Sequence, residues 1–582
     1  MQRFERQRYV GAEAPATRQR AGFLRSEDGS LIVFGLFVFL LMAVVAGMAV
    51  DFMRFETQRT RLQSTLDRAI LAASSLDQTA DPEYIVLDYF NKAGLGNFID
   101  ASLINVYEND RLIDDTYSGA SADSLTSRRV EASAKMTIGT TFLKFSGIDF
   151  LGAPAMGTAE ESASLTEISL VLDTSGSMSW NSASGNSKIY ELRRAAKKFI
   201  NIVLCDPANP NNTTNCVVEE GTVSVSLIPY SEQVLVGEDL LGYFNATNEH
   251  TYSSCITFDA DDFEEVPITP TQLLQREGDI DPWSNGYNAR DGSRSCRKDA
   301  WREITAVSGD AAALRDAIDD LGASGNTSID IGMKWGAALL DPVAVPVVDD
   351  LIDAGDTDEA YEGRPLDYDI SRSTKVIVLM TDGVNTDQHY LYDEFRSGPS
   401  PVFYYQCTNA DPCKGSGKKY SIYDADNDRY WWEDEEKFED HAYGDGTFEE
   451  CNWVRSGRSW VQQCSQVAES KNGTGATQMD YAEVWHEKSW SWWEQDDLDF
   501  LPRPGSSYGN STKNARLDDI CEAAKDQGIR VFTVGFEVNY ASSLVMKDCA
   551  SSDSHYFDAN GLDLSSAFSA IAREINKLRL TN

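Results

Sequence analysis

The sequence predicts an α/β chain: a doubly wound, mostly parallel sheet covered by helices, set behind an N-terminal transmembrane helix and a small β-rich stalk. Three observations carry that prediction. Apolar strands alternate with helical patterns through the second half of the chain, as in a parallel sheet buried on both faces. Leu31 to Val50 is a run of 20 residues without a charge. Two distant apolar strands, Ile168-Ser169-Leu170-Val171-Leu172 and Lys375-Val376-Ile377-Val378-Leu379-Met380, both run directly into aspartate-bearing loops. At 582 residues the chain is too long for one compact core, so two or more domains are expected.

The N-terminal segment, residues 1–30, carries Arg3, Arg6, Arg8, Arg18, Arg20 and Arg25. Residues 31–50 then form a helix of about 30 Å, the thickness of a hydrocarbon core. A cleaved signal peptide is the competing reading; it fits less well because its apolar region is shorter and ends at a small-x-small site. Arg54, Arg59 and Arg61 follow closely, so flanking positive charge leaves the orientation nearly tied. The cysteines break the tie: all lie beyond the span, which puts the large domain on the oxidising side and residues 1–30 in the cytoplasm. The helix continues to about residue 78. Phe55, Leu62, Leu66, Ala69, Ala73 and Leu76 give it an apolar stripe suited equally to a second helix or to the chain's own next domain. Residues 80–165 contain alternating segments such as Val130 to Ile138, read as half-buried strands of a stalk.

From 166 to 582 the core appears in pieces. Strand 168–172 leads to a helix near 188–204 and a strand at 222–228. Helices follow at 309–321 and 329–340, then strand 375–380, helix 514–527, strand 529–534 and helices near 542–549 and 563–579. Inserts at about 231–307 and 384–513 interrupt it. The second holds Trp431, Trp432, Trp453, Trp460, Trp485, Trp490, Trp492 and Trp493, eight of the 12 tryptophans. Clustered rings suit a glycan- or protein-binding surface. The preferred reading is the core of a small disulfide-stapled subdomain. The 10 cysteines form no Cys-x-x-Cys pair, which argues for disulfides over zinc or redox chemistry. Sequence neighbours suggest Cys205–Cys216, Cys255–Cys296, Cys407–Cys413, Cys451–Cys464 and Cys521–Cys549, although spacing alone does not fix connectivity. Asp424 to Asp428, with Glu435, imitates a calcium loop, but Arg429 stands where that loop needs glycine, so an acidic turn is expected.

The chemistry gathers at the strand ends, where open α/β sheets place their ligands. One loop reads Asp173-Thr174-Ser175-Gly176-Ser177-Met178; the other, 209 positions from Asp173 to Asp382, reads Thr381-Asp382-Gly383. Each alone is an ordinary capped turn. Together they offer the oxygen ligands that hard divalent ions take. These residues resemble a von Willebrand factor type A domain, whose metal-ion-dependent adhesion site joins an Asp-x-Ser-x-Ser loop, a Thr from a second loop and an Asp from a third. The matching residues are Asp173, Ser175 and Ser177, then Thr327 in Leu321-Gly322-Ala323-Ser324-Gly325-Asn326-Thr327, then Asp382. The resemblance implies a bound Mg²⁺ (or Mn²⁺ or Ca²⁺), contacted by Ser175, Ser177 and Thr327 and held through water by Asp173 and Asp382. Neutral hydroxyls leave the ion's charge partly uncompensated, so a carboxylate from a protein partner completes the shell.

A second resemblance covers both ends of the chain. Gly29-Ser30 with the apolar span, Ala49-Val50-Asp51, Leu62-Gln63 and Leu66-Asp67-Arg68-Ala69 are similar to the N-terminus of TadG-like proteins of Flp (tight-adherence, Tad) pilus assembly. Cys549-Ala550-Ser551, Tyr556-Phe557, Ala567-Phe568 and Ile571-Ala572 through Leu578-Arg579-Leu580 agree. The resemblance implies a single-pass bacterial inner-membrane protein with its large C-terminal domain in the periplasm and pilus or envelope components as partners. Phe34 stands five residues after Gly29, where processed pilins of this machinery carry Glu, so cleavage there is not supported. The alternative is an outward-displayed, metal-dependent adhesin for host or abiotic surfaces. A net charge of −41 excludes nucleic acid as a partner of the bulk surface. No enzyme is expected: there are 5 histidines, no Gly-x-Ser-x-Gly, no His-Glu-x-x-His, and Gly415-Ser416-Gly417-Lys418 lacks phosphate-loop spacing.

Overall fold

The computed structural model describes residues 28–581 except 77, 79, 109–110, 114–126, 163–164, 215, 371–372, 408–416 and 469–474. The expected cytoplasmic segment up to residue 27 and Cys413 lie outside the described residues. The chain divides into two compact units, Met1–Ser162 and Ala163–Asn582.

In the first unit, helix α1 (Asp28–Ala73) is long and apolar enough at its N-terminal end to cross a membrane. Leu31, Phe34 and Phe37 there are all more than half exposed. Further along, Leu62, Leu66, Ala69, Ile70 and Ala73 are buried against α2 (Pro82–Lys92) and a four-stranded antiparallel sheet. That sheet comprises β1 (Ile104–Glu108), β2 (Arg111–Leu112), β3 (Ser127–Gly139) and β4 (Phe150–Ser162), in the order β2-β1-β3-β4. The apolar stripe therefore packs on the chain's own next domain, and the helix ends at Ala73 rather than near 78. The β-rich reading of 80–165 omitted α2. Asp81 caps it, accepting from the N–H groups of Glu83 and Tyr84, with Pro82 in the first turn, and Ile85, Val86 and Phe90 fill the core. Directly after the apolar run, the Asp51 carboxylate accepts backbone N–H bonds from Thr141, Phe142 (2.6 Å) and Leu143 (2.8 Å). The Phe142 ring lies so close to Gly47 that a Cβ there would sit 2.2 Å from it.

The second unit opens with β5 (Leu165–Asp173), in which all nine residues are buried. Then come α3 (Lys188–Ile200), extended by a π turn at Asn201–Cys205, and β6 (Val223–Tyr230). Next are β7 (Thr305–Ser308), α4 (Ala311–Asp320), α5 (Ile329–Ala338), α6 (Val345–Ala354) and β8 (Ser373–Thr381). The chain finishes with α7 (Asn510–Asp526), β9 (Arg530–Phe536), α8 (Tyr540–Cys549), β10 (Tyr556–Ala559) and α9 (Asp563–Thr581). These strands form a mixed sheet of order β10-β9-β8-β5-β6-β7, parallel except for the β6–β7 pair.

Alternation along each strand sends side chains into two cores. Ile168, Leu170, Leu172, Val376 and Val378 meet Leu192 and Phe199 of α3, Leu314 of α4 and Phe568 of α9. Val171, Ile377 and Leu379 meet Trp335 of α5, Ile520 of α7 and Met546 of α8. Each such side chain contributes about 1.5–3 kcal/mol by leaving water. The sequence reading lacked α6 and the short strands β7 and β10.

Phe258, Phe263 and Ile268 of the first insert pack into the core around Trp335. The second insert builds a five-stranded antiparallel sheet from Pro399–Cys407, Gly417–Asp424, Arg429–Trp432, Lys437–Glu439 and Thr477–Asp480. Trp485, Trp492 and Trp493 are fully buried in its core, and Trp431, Trp432 and Trp490 are nearly so. Trp453 and Trp460 depart from this reading: they stand exposed on a separate two-stranded ribbon, Thr447–Ser456 with Ser459–Ala468. Four of the suggested disulfides are present: Cys205–Cys216, Cys255–Cys296, Cys451–Cys464 and Cys521–Cys549. Cys407 is also disulfide-bonded. Asp424 accepts from Asn427 and Arg429, so the calcium-like segment is a turn closed by its own side chains.

Candidate metal centre

The site starts from two strands too apolar to sit anywhere but the middle of the sheet. β5 ends at Asp173, and Thr174 is fixed by its N–H and hydroxyl, both donating to the Tyr230 carbonyl at the end of β6. The chain then turns because Asp173 Oδ1 accepts the Ser175 N–H at 2.8 Å. This brings Ser175 Oγ and Ser177 Oγ within 3.1 Å of each other. The neighbouring strand β8 supplies the opposite wall. Ser177 Oγ donates to Asp382 Oδ1 at 2.6 Å, although 205 positions separate them, and Thr381 Oγ1 donates to Asp173 Oδ2 at 2.8 Å.

Thr327 reaches this cluster through backbone. The Ser324 N–H donates to the Thr174 carbonyl at 2.9 Å, and the Gly176 N–H to the Gly325 carbonyl at 2.8 Å. Gly325 has φ 91°, a left-handed conformation that glycine adopts without steric cost. On the far side, Thr327 N–H donates to Thr386 Oγ1 at 2.8 Å, and the Thr386 N–H returns to the Thr327 carbonyl. All five predicted site residues therefore stand on three loops joined to one another by hydrogen bonds.

Four further residues act here that motif reasoning did not assign. Lys188 Nζ lies 2.9 Å from Asp382 Oδ2, with the lysine side chain only 10% exposed. Lys513, fully buried on α7, donates to the Thr327 and Thr386 carbonyls and to Ser328 Oγ, clamping two of the loops, and faces Asp330 at 4.0 Å. Arg302 donates to the Ser324 carbonyl at 2.9 Å. Thr381 was legible as a hydroxyl at a strand end. The two lysines and the arginine come from remote segments and leave no spacing signal.

The electrostatics follow from burial. Asp173 is completely enclosed, and burial followed by the charge of Asp382 pushes its carboxyl up to about 7, against the hydrogen bonds from Ser175 and Thr381. Among the described residues the two facing carboxylates have one direct ammonium partner, Lys188 on Asp382. The nearby donors are all hard oxygens, carboxylate and hydroxyl, and the local charge favours a cation. That chemistry fits a hard divalent ion. Trp180, just past the serine loop, is 67% exposed beside it.

The comparisons with known proteins bear first on the N-terminus. Residues 29–75 match the Tad family model, described as Flp pilus-assembly TadE/G-like. The match covers α1 and the residues just beyond it, including Asp51 and the buried face Leu62 to Ala73. No curated protein matches the chain. Among solved structures, the von Willebrand factor domain of the type V pili tip protein Mfa5 from Porphyromonas gingivalis is 14% identical, covering 72% of this chain and 97% of that one, with a TM-score of 0.29. The pilus adhesin SpaC from Lactobacillus rhamnosus GG is 14% identical over 82% of this chain and 35% of its own, TM-score 0.30. The PilB minor pilin of Streptococcus sanguinis is 12% identical over 82% and 79%, TM-score 0.29. Scores at that level establish no shared fold.

Proposed function

We propose that this chain is a membrane-anchored, non-enzymatic pilus-assembly protein of the TadG-like kind, held in the bacterial inner membrane by α1 with the second unit in the periplasm. In this reading the second unit is a doubly wound type A domain that binds a divalent metal and docks a carboxylate of a pilus or envelope component. The observation that carries it is the 2.6 Å contact between Ser177 and Asp382, which draws the two predicted loops together around the buried Asp173. Asp173, Ser175, Ser177, Thr327 and Asp382 would hold the ion. Mg²⁺ fits hydroxyl and carboxylate oxygens, with Mn²⁺ and Ca²⁺ as the other hard candidates. When bound, the ion supplies a local positive charge on a chain of net charge −41, so an acidic group is captured there against the repulsion of the acidic surface as a whole. Exposed Trp180 offers an aromatic anchor next to that contact. Support for the anchor comes from the family match over 29–75 and the exposed apolar end of α1.

The test is calorimetry on the EDTA-stripped full-length chain in detergent. Uptake of one Mg²⁺ or Mn²⁺ that Asp173→Ala abolishes is expected. Absence of uptake at millimolar metal would remove the docking mechanism.

A further inference from the structure

The second insert spends most of its tryptophans on its own core, and two of them it does not. The ribbon of Thr447–Ser456 and Ser459–Ala468 stands apart from the five-stranded sheet, and every residue from 452 to 466 is exposed. The Cys451–Cys464 disulfide joins directly opposed residues and closes the base of that exposed tip. Trp453 is 64% exposed and Trp460 65%. Register places them together: Trp453 opposes Gln462 and Trp460 opposes Arg455, so all four share one face, the tryptophans on a diagonal. Exposed aromatic rings on a cross-linked ribbon cost solvation and add nothing to the core.

Charge narrows what they are for. The tip beyond the Cys451–Cys464 disulfide contains Arg455 and Arg458 and no acidic residue, in a chain with 92 Asp and Glu; Glu449 and Glu450 lie at the ribbon's base, on the other side of that disulfide. The remaining side chains of the tip are rich in amides and hydroxyls: Asn452, Gln462, Gln463 and the serines at 456 and 459. Flat rings with amide and hydroxyl partners match the alternating apolar faces and hydroxyl edges of sugar rings, and two guanidiniums add a requirement for negative charge. The polar turn at the end, Ser456-Gly457-Arg458-Ser459, argues against insertion of this tip into a bilayer.

We propose that this ribbon is a binding platform for an acidic polysaccharide, with Trp453 and Trp460 stacking on sugar rings and Arg455 and Arg458 pairing with their carboxylates or phosphates. The inference does not depend on the metal site, and its test runs in EDTA to keep the two separate. Full-length chain in detergent is titrated calorimetrically with three probes: an alginate oligosaccharide, a phosphate-bearing teichoic-acid fragment, and cellohexaose as the neutral control. At least one acidic probe is expected to bind ten times or more tighter than cellohexaose. Trp453→Ala with Trp460→Ala should weaken that binding at least tenfold; Arg455→Gln with Arg458→Gln should weaken it severalfold and flatten its salt dependence. These side chains are exposed, so circular dichroism and the melt should match the parent. Equal binding of cellohexaose, no binding of any probe, or binding untouched by the tryptophan substitutions would each overturn the proposal. So would retention by anionic phospholipid vesicles in place of the sugars.

Discussion

Replacing Lys188 with methionine should tighten metal binding. Methionine keeps an unbranched apolar stem in the same packing and removes only the ammonium. That ammonium sits 2.9 Å from Asp382 Oδ2, so it competes with any incoming cation for this carboxylate. Two unit charges so spaced attract by about 1.4 kcal/mol at the dielectric of bulk water and about 6 kcal/mol at an effective value of 20. A metal entering the native site works against at least the smaller figure, which is about a factor of ten in affinity. Lys188→Met is therefore expected to bind Mg²⁺ at least tenfold more tightly, measured by calorimetry on the stripped full-length chain. The same change leaves Asp382 with the Ser177 hydroxyl and no direct counter-charge, so the metal-free variant should melt below the parent and recover when Mg²⁺ is added. An unchanged affinity with an unchanged melt would refute the competition. A weakened affinity would refute it too, by making the lysine one of the groups that support the ion.

Three other outcomes follow from contacts away from that ammonium. Glu277 is fully buried, with Thr257 Oγ1 donating to it, and burial above all pushes its carboxyl up to about 7. A folded-state value above the ordinary 4.5 means its contribution to stability is complete below pH 4.5 and lost as pH rises through 7. Glu277→Gln should thus raise the urea midpoint at pH 8, by up to about 3 kcal/mol in stability, and change little at pH 4.5. Lys513→Met would strip the clamp from Thr327 and Thr386 and leave Asp330 buried without its nearest cation, a loss of about 3–5 kcal/mol; a melt within a degree or two of the parent would contradict the clamp. Asp51→Ala should speed hydrogen exchange at the amides of Phe142 and Leu143 at least tenfold, because both donate to that carboxylate. Exchange at β5 amides, in the other unit, serves as the unchanged reference.

The parts of the fold legible in the sequence are those where one physical requirement dominates. β5 and β8 lie in the middle of the sheet with helices on both sides, so burial forced continuous apolar runs on them and made them readable. The turn after β5 needed an aspartate to accept the Ser175 amide, and that local demand is written in three adjacent residues. What was not legible is what depends on pairing at a distance. Lys188 and Asp382 are 194 positions apart, and nothing about a lysine at the start of α3 marks it as a counter-ion. The strand β10 has four residues, too few for a period to show, and it is identified only by its pairing with β9. The tryptophans failed in a more instructive way. Composition placed eight in one insert, but Trp485, Trp490, Trp492 and Trp493 reach the core from two short helices, and only strand pairing separates Trp431, in the sheet, from Trp453, on the free ribbon.

The lysines also decide how far metal and fold are coupled. In small metal-organised domains the ligands have no reason to converge without the ion, so chelation unfolds them. Here the chain supplies ties of its own: Lys188 holds Asp382, Lys513 ties the Thr327 loop to the Thr386 loop, and Arg302 holds Ser324. The metal would then arrive at a site already in place, and its removal should cost function before it costs structure. EDTA treatment of the native chain is expected to leave its circular dichroism and melt nearly unchanged, whereas the same treatment of Lys188→Met should lower the melt, because that variant has exchanged a resident ammonium for dependence on an ion. If EDTA unfolded the native chain, the loops would owe their positions to the metal and the lysines would be bystanders.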